Sequence, residues 1–390
     1  MRRITIVFFD AGGGHRNAAE ALKWVLESPE HNWQVSLLNL QELLDSIDLL
    51  RGVTGIRTQD AYNLVLRKGW TRLSPQLLPI LQGLIRLKHG AVVKLLREQW
   101  EKSPADLVLS VIPHFNRAIA ESIRQSMPGA RFVTLITDFA DYPPHFWIEK
   151  ESEYVICGTE KARQQGLDLE LPEARLFLTS GMILKSKFYQ QPAVDRRAER
   201  KRIGLDPDAP TGVVLFGGHG SPAMVQIAKQ VDKVPNKVQL IMLCGHSRKI
   251  LEQLRKLRLS KPMVLEGFTS NVDYYMALAD FFMGKPGPGS ISEALQFHLP
   301  VLVECNARTM PQERYNTEWV RENRMGIVLS SFRKAGEGVT QLLKPETFSE
   351  LRRNAAAYKN QALFEIPKIL SDIVGRQSDR VPQPVLANSR

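Results

Sequence analysis

The stretch Arg3-Ile4-Thr5-Ile6-Val7-Phe8-Phe9-Asp10-Ala11-Gly12-Gly13-Gly14-His15-Arg16-Asn17-Ala18-Ala19-Glu20-Ala21 runs from a β-branched and aromatic segment, through glycines, into an alanine-rich segment. A strand, a tight turn and a helix over 15–27 form the opening unit of a doubly wound parallel sheet. The unit recurs about two hundred residues on. There Gly212-Val213-Val214-Leu215-Phe216 leads into Gly217-Gly218-His219-Gly220-Ser221 and another helical stretch. Apolar runs at 107–112, 132–136, 154–157, 239–244, 263–265, 281–283 and 301–303 alternate with helical patterns. Unbroken runs of that length suit strands buried on both faces. The expected fold class is therefore α/β, with two Rossmann-like doubly wound domains facing across a cleft. The expected domains are 1–190 and 211–369, joined by a Pro-rich and charged linker at 191–210 and followed by a frayed tail at 370–390.

The 390 residues are 43% hydrophobic and 24% charged, enough apolar material for two cores. No run approaches the roughly 18 apolar residues of a membrane span. The N-terminal apolar run ends after six residues at Asp10, too short for a signal-peptide core of about 7–15. The chain reads as neither secreted nor spanning. Cys157, Cys244 and Cys305 are widely spaced and lack a Cys-x-x-Cys pairing. They suit a reducing cytosol and read as buried small hydrophobes. The histidines show no zinc spacing, Asp206-x-Asp208 sits in the linker rather than after a strand, and no Gly-x-Ser-x-Gly elbow is present.

The formal charge is +11, and much of it is local. Residues 51–97 carry nine basic side chains (Arg51, Arg57, Arg67, Lys68, Arg72, Arg86, Lys88, Lys94, Arg97) against the single acid Asp60. They are interleaved with Leu, Ile, Val and Trp70, a pattern suited to an anionic membrane surface, where each nearby cation contributes about 1 kcal/mol. A solvated helix pair with an ordinary buried stripe reads the same way. Base-reading and RNA-stacking motifs are absent, so nucleic acid is not an expected partner.

Four constellations could carry chemistry. In the first loop, glycines allow close backbone approach to a ligand, and His15 stands at a helix start, where the dipole holds it near neutral as a candidate general base. Residues 283–293, Met-Gly-Lys-Pro-Gly-Pro-Gly-Ser-Ile-Ser-Glu, form a Gly/Pro/Ser loop that opens a helix and offers amides to a phosphate, with Glu293 one turn further on. Met310-Pro311-Gln312-Glu313 sets an amide beside a carboxylate, suited to sugar hydroxyls. The loop Thr137-Asp138-Phe139-Ala140-Asp141-Tyr142-Pro143-Pro144-His145-Phe146-Trp147 follows an apolar strand. Its Asp138, His145 and Trp147 either orient a base and contact an acceptor or simply build a rigid loop.

Residues 10–21, together with 267–316 from Gly267-Phe268 through Lys285-Pro286-Gly287-Pro288-Gly289, Ser292-Glu293-Ala294 and Pro311-Gln312-Glu313 to Asn316, resemble one family in colinear order. That family is the monogalactosyldiacylglycerol synthases and bacterial diacylglycerol glucosyltransferases of glycosyltransferase family 28. The peptidoglycan transferase that adds N-acetylglucosamine to lipid I is a more distant relative. The resemblance implies a GT-B fold and inverting transfer of galactose or glucose from a UDP-sugar to diacylglycerol or a similar lipid, with no metal or other cofactor. It implies that Gly267 and Phe268 contact uracil, that Gly217, Gly218, Gly220, Ser221, Pro288, Gly289 and Ser290 surround the diphosphate, and that Glu293 holds the ribose. Gln312 and Glu313 would then hold the hexose. His15 would act as base, with Asp138 beside it, and Gly13, Gly14, His145 and Trp147 would meet the acceptor. The implied location is peripheral, on the cytoplasmic face of the membrane through 51–97. Pro311 stands where relatives often have glycine, and the spacing after Asp138 differs from that of plant members. A UDP-sugar epimerase on the same architecture and a non-catalytic UDP-sugar sensor at a membrane are the rival readings.

Overall fold

The computed structural model describes residues 1–10, 13–45, 83, 87–142, 145–190 and 192–375. They contain two six-stranded sheets, parallel throughout. The first comprises β1 (Arg3–Phe8), β2 (Gln34–Asn39), β3 (Leu107–Ser110), β4 (Arg131–Leu135), β5 (Tyr154–Cys157) and β6 (Leu176–Leu178), in the order β2-β1-β3-β4-β5-β6. The second comprises β7 (Thr211–Leu215), β8 (Gln239–Leu243), β9 (Met263–Glu266), β10 (Phe281–Gly284), β11 (Val301–Glu304) and β12 (Gly326–Leu329), in the order β12-β11-β10-β7-β8-β9. Read from β9, the second sheet has the 3-2-1-4-5-6 order of a dinucleotide-binding fold.

The central strands β3, β7, β8 and β10 are buried along their whole length, which is why their sequences read as unbroken apolar runs. In each sheet the chain leaves two neighbouring strands in opposite directions, opening a crevice at their carboxyl ends. That crevice lies between β1 and β3 in the first sheet and between β7 and β10 in the second. The helix Gly14–Leu26 covers the first sheet with Ala18, Ala19, Ala21, Leu22, Val25 and Leu26, and its alanines keep the start of the helix close to β1.

Two segments differ from their expected places. The helix Ala362–Gly375 straddles the boundary expected at 369–370. It buries Leu363, Ile366, Leu370 and Ile373 in the same core as Ile4, Ile6 and Leu22 of the first sheet. The crossing is pinned by Asn360, whose Nδ2 donates to the Met182 carbonyl at 2.8 Å, and by the Gln361 amide, which donates to Ser180 Oγ at 2.7 Å. The stretch expected as a linker contains the helix Arg196–Arg202, capped by Asp195. Its Arg200 is only 5% exposed. That guanidinium donates to the carbonyls of Leu278, Pro207 and Ala209 and to Asp280 Oδ2 at 2.7 Å. The charge is tolerated because every donor finds an oxygen. Cys157 and Cys244 are buried as expected, whereas Cys305 is only half-buried.

Arg200→Ala leaves Asp280 short of its most buried partner. It should lower the unfolding free energy by about 3 kcal/mol in urea denaturation. Arg197→Ala removes only an exposed pair with Asp208 and should leave the midpoint unchanged.

Candidate active site

Gly13, with φ 82°, turns the chain into the helix Gly14–Leu26 and places His15 in its first turn. His15 Nδ1 lies 3.3 Å from Thr137 Oγ1 at the end of β4, and the ring also hydrogen-bonds the Val111 backbone just after β3. Burial pushes its pKa down to about 4, with the Val111 bond partly opposing the shift. The imidazole is therefore neutral at pH 7. The ring centroid of Trp147 lies 5.9 Å away.

Trp147 is fully buried and held at three points. Its amide donates to Asp141 Oδ1 at 2.7 Å, its carbonyl accepts from Asn116 Nδ2 at 2.9 Å, and its indole Nε1 donates to Asp138 Oδ2 at 3.0 Å. Asp141 also takes the amides of His145 and Ile148 and so organises the 145–148 turn. Trp147 thus acts from behind the site surface, while His145, at φ 64°, is exposed.

In the second domain Gly217, Gly218, Gly220 and Ser221 make the turn after β7, and Ser221 Oγ accepts from the Ala223 amide at 3.2 Å. Gly245, after β8, has φ 58°, and a Cβ there would lie 2.3 Å from the Gly218 carbonyl, so the two loops can nest only through glycine. The His246 amide donates to that carbonyl at 2.8 Å. The His246 ring stacks on Phe268, with centroids 3.9 Å apart and planes 15° apart. Phe268 is 60% exposed, and the adjacent Gly267 amide donates to Glu266 Oε1.

After β10, Pro288 occupies the first position of the helix Pro288–Gln296, so the Gly289 and Ser290 amides stand in the first turn, where no helical carbonyl precedes them. Burial raises Glu293 to about 7, against the pull of Lys187 and Lys185. Lys285 pairs with Glu313 at 2.9 Å, and Asn316 Nδ2 donates to the Pro286 carbonyl at 2.8 Å. These contacts tie the loop to the helix Pro311–Glu322. Pro311 takes the first position there, which its ring suits, and half-buried Gln312 follows.

The two domains meet at Asp138. Burial raises its carboxyl to about 7, the Trp147 hydrogen bond opposes the shift, and the next influences are Glu313 and Lys285 of the other domain. Phe139 packs edge-on to Trp319 at 4.9 Å across the same junction. Sequence reading assigned no role to Asn116, Asp141, Gly245, His246 or Lys285. Of these, Gly245 was accessible, as a glycine directly after an apolar run. A separate cavity of about 680 Å³ lies at the opposite strand ends, where Asp208 and Asp280 take up its arginines. Among the described residues, no three His, Cys, Asp or Glu side chains gather as they would around a metal ion.

Residues 212–373 match the glycosyltransferase family 28 C-terminal domain. The chain is 24% identical over 414 residues to monogalactosyldiacylglycerol synthase 1, chloroplastic, of Arabidopsis thaliana, covering 98% of this chain and 73% of that one. Among solved structures it shares its fold with MurG of Acinetobacter baumannii (TM-score 0.66, 12% identity, 95% of this chain and 100% of that one). It also shares it with MnaA of S. aureus in a UDP co-structure (TM-score 0.60, 14% identity, 97% of this chain and 100% of that one). With two doubly wound sheets facing one cleft, the chain has the GT-B fold, and its second domain is similar to the glycosyltransferase family 28 C-terminal domain.

Proposed function

We propose that this glycosyltransferase moves a hexose, galactose or glucose, from a UDP-sugar to the hydroxyl of diacylglycerol or a similar membrane lipid, with inversion and with His15 as general base. The observation that carries the reading is Asp138. It is hydrogen-bonded to the tryptophan beside His15, yet sits within the field of Lys285 and Glu313. That proximity supports a reading in which one cleft holds both a base and a phosphate-and-sugar cradle. The plant relative's name supplies the lipid class, and the UDP of the MnaA structure supplies the nucleotide.

In this reading the acceptor lies in the first domain against Gly13, Gly14 and His145. His15 takes the proton of its hydroxyl as the oxygen attacks the anomeric carbon, and the bond from that carbon to UDP breaks on the opposite face. Negative charge grows on the leaving diphosphate. The amides of Gly217, Gly218, Gly220 and Ser221 and the helix start at Pro288, Gly289 and Ser290 meet it. This stabilisation requires no metal. Glu293 takes the ribose hydroxyls, Gln312 and Glu313 the hexose, and Gly267 and Phe268 the uracil. A base with pKa near 4 is weak by itself, and a bound diphosphate nearby raises it.

The membrane-contacting stretch 51–97 lies outside the described residues except for 83 and 87–97, where the helix His89–Lys102 exposes Lys94 and Arg97. Among the described residues no helix is long and apolar enough to cross a membrane. We place the protein peripherally, on the cytoplasmic face.

The test is incubation with anionic liposomes containing diacylglycerol and, separately, UDP-glucose, UDP-galactose and UDP-N-acetylglucosamine, with EDTA present. Lipids are then resolved by mass. One new glycolipid, formed despite EDTA, is expected. Donor consumed with no glycolipid would overturn the lipid acceptor and favour the epimerase. His15→Ala should bind UDP normally and lose at least about 10²-fold in turnover, and unchanged turnover would remove His15 from the mechanism. UDP affinity should rise with pH through about 7 as Glu293 ionises, since only the carboxylate accepts two ribose hydroxyls. Titration calorimetry of Glu293→Gln should show that dependence gone.

A further inference from the structure

The loop after β3 carries a second histidine that no sequence pattern singles out. His114 stands at the crevice of the first sheet, three residues past Val111, whose backbone hydrogen-bonds His15. Its φ is 70°, in the left-handed region, where a non-glycine residue is held only when its surroundings require it. The requirement comes from its amide, which donates to the Phe146 carbonyl at 2.8 Å and ties this loop to the one bearing Trp147. The half-buried ring stands edge-on to Phe146, with centroids 4.1 Å apart and planes at 72°. No described residue donates to or accepts from the imidazole. Burial pushes its pKa down to about 4. At neutral pH the ring is therefore uncharged, with one N–H donor and one bare nitrogen. An uncharged ring with unspent hydrogen bonds suits a neutral oxygen rather than a phosphate.

We propose that His114 determines acceptor specificity. Its imidazole donates to an oxygen next to the reacting hydroxyl, which in diacylglycerol is an ester carbonyl. This inference rests on the reading that the acceptor enters the first domain beside His15. His114 sits on the loop whose backbone holds that base, and its ring packs on Phe146, the chain neighbour of Trp147. Fixed at two points by backbone strain and by Phe146, it can discriminate without moving, and a site built to hydrogen-bond an oxygen discriminates against an analogue that lacks it.

The test uses dioleoylglycerol and its dialkyl ether analogue, which lacks the ester carbonyls, in phosphatidylglycerol vesicles with whichever UDP-hexose is active. Wild type, His114→Gly, His114→Asn and His15→Ala are compared. Glycine and asparagine both tolerate the positive φ, so the fold survives. His114→Gly should lose at least tenfold in kcat/KM for dioleoylglycerol, with the donor KM changed less than twofold and the thermal midpoint unchanged or raised. His114→Asn, whose amide can donate, should recover part of the loss. Wild type should prefer ester to ether by a similar factor, and His114→Gly should not distinguish them. A His114→Gly variant that keeps the ester preference overturns the inference, as does a wild type with no such preference. A loss that follows thermal stability or donor KM overturns it equally. If His15→Ala turns over like wild type, the acceptor reading falls and this inference with it. If His15→Ala is inactive while both His114 variants are normal, this inference alone falls.

Discussion

The helix Ala362–Gly375 lies at the far end of the second half in sequence and in the core of the first domain in space. Its stripe Leu363, Ile366, Leu370 and Ile373 shares a core with Ile4, Ile6 and Leu22. Each fully buried side chain of this kind contributes about 1.5–3 kcal/mol. Asn360 and Gln361 make the crossing specific by hydrogen-bonding the Met182 carbonyl and Ser180. Both sheets present their loops at the carboxyl ends of their strands, so a shared cleft exists only if the two sheets are held facing each other. A group on one domain can then act on a molecule held by the other at a repeatable distance, and transfer between two bound partners depends on that distance.

The chemistry of the cleft is tuned largely by exclusion of water. His15 is lowered to about 4, and Asp138 and Glu293 are raised to about 7, with burial the leading cause in all three. Each group is therefore uncharged, or close to its titration point, at neutral pH, where a change in nearby charge alters its state most readily. The loops around them are rigid for reasons that can be named. Asp141 collects the amides of the 145–148 turn, Asn116 holds the Trp147 carbonyl, and the Gly245 backbone nests against Gly218.

The core strands were legible in the sequence because both of their faces are covered, which leaves no polar alternation to dilute the apolar run. Three of the four edge strands, Gln34–Asn39, Leu176–Leu178 and Gly326–Leu329, were not announced by such runs, since one side of an edge is open to solvent and their residues are only partly covered, whereas the fourth, Met263–Glu266, keeps a short apolar run. The helix Arg196–Arg202 read as a linker because its composition is charged. Burial of Arg200 depends on the Leu278 carbonyl and Asp280, nearly eighty residues away. The glycine loops were legible because a turn that approaches a neighbouring backbone leaves few residue choices. His246 was not, because its stacking on Phe268 involves two loops that are adjacent only in the sheet.

Local residue chemistry by itself determined the two doubly wound halves, the glycine turns that end their first strands, and the helix starts at His15 and Pro288. Those features follow from backbone freedom, burial period and helix polarity within a few residues. Only the tertiary structure decided that Asp138 senses Lys285 and Glu313, that Trp147 stands behind the surface, that the His114 amide ties its loop to the Phe146 carbonyl, and that the last helix closes the first domain. Each of those is a contact or a field between segments distant in the chain. Desolvation and Coulomb interaction depend on spatial distance, which sequence separation does not encode.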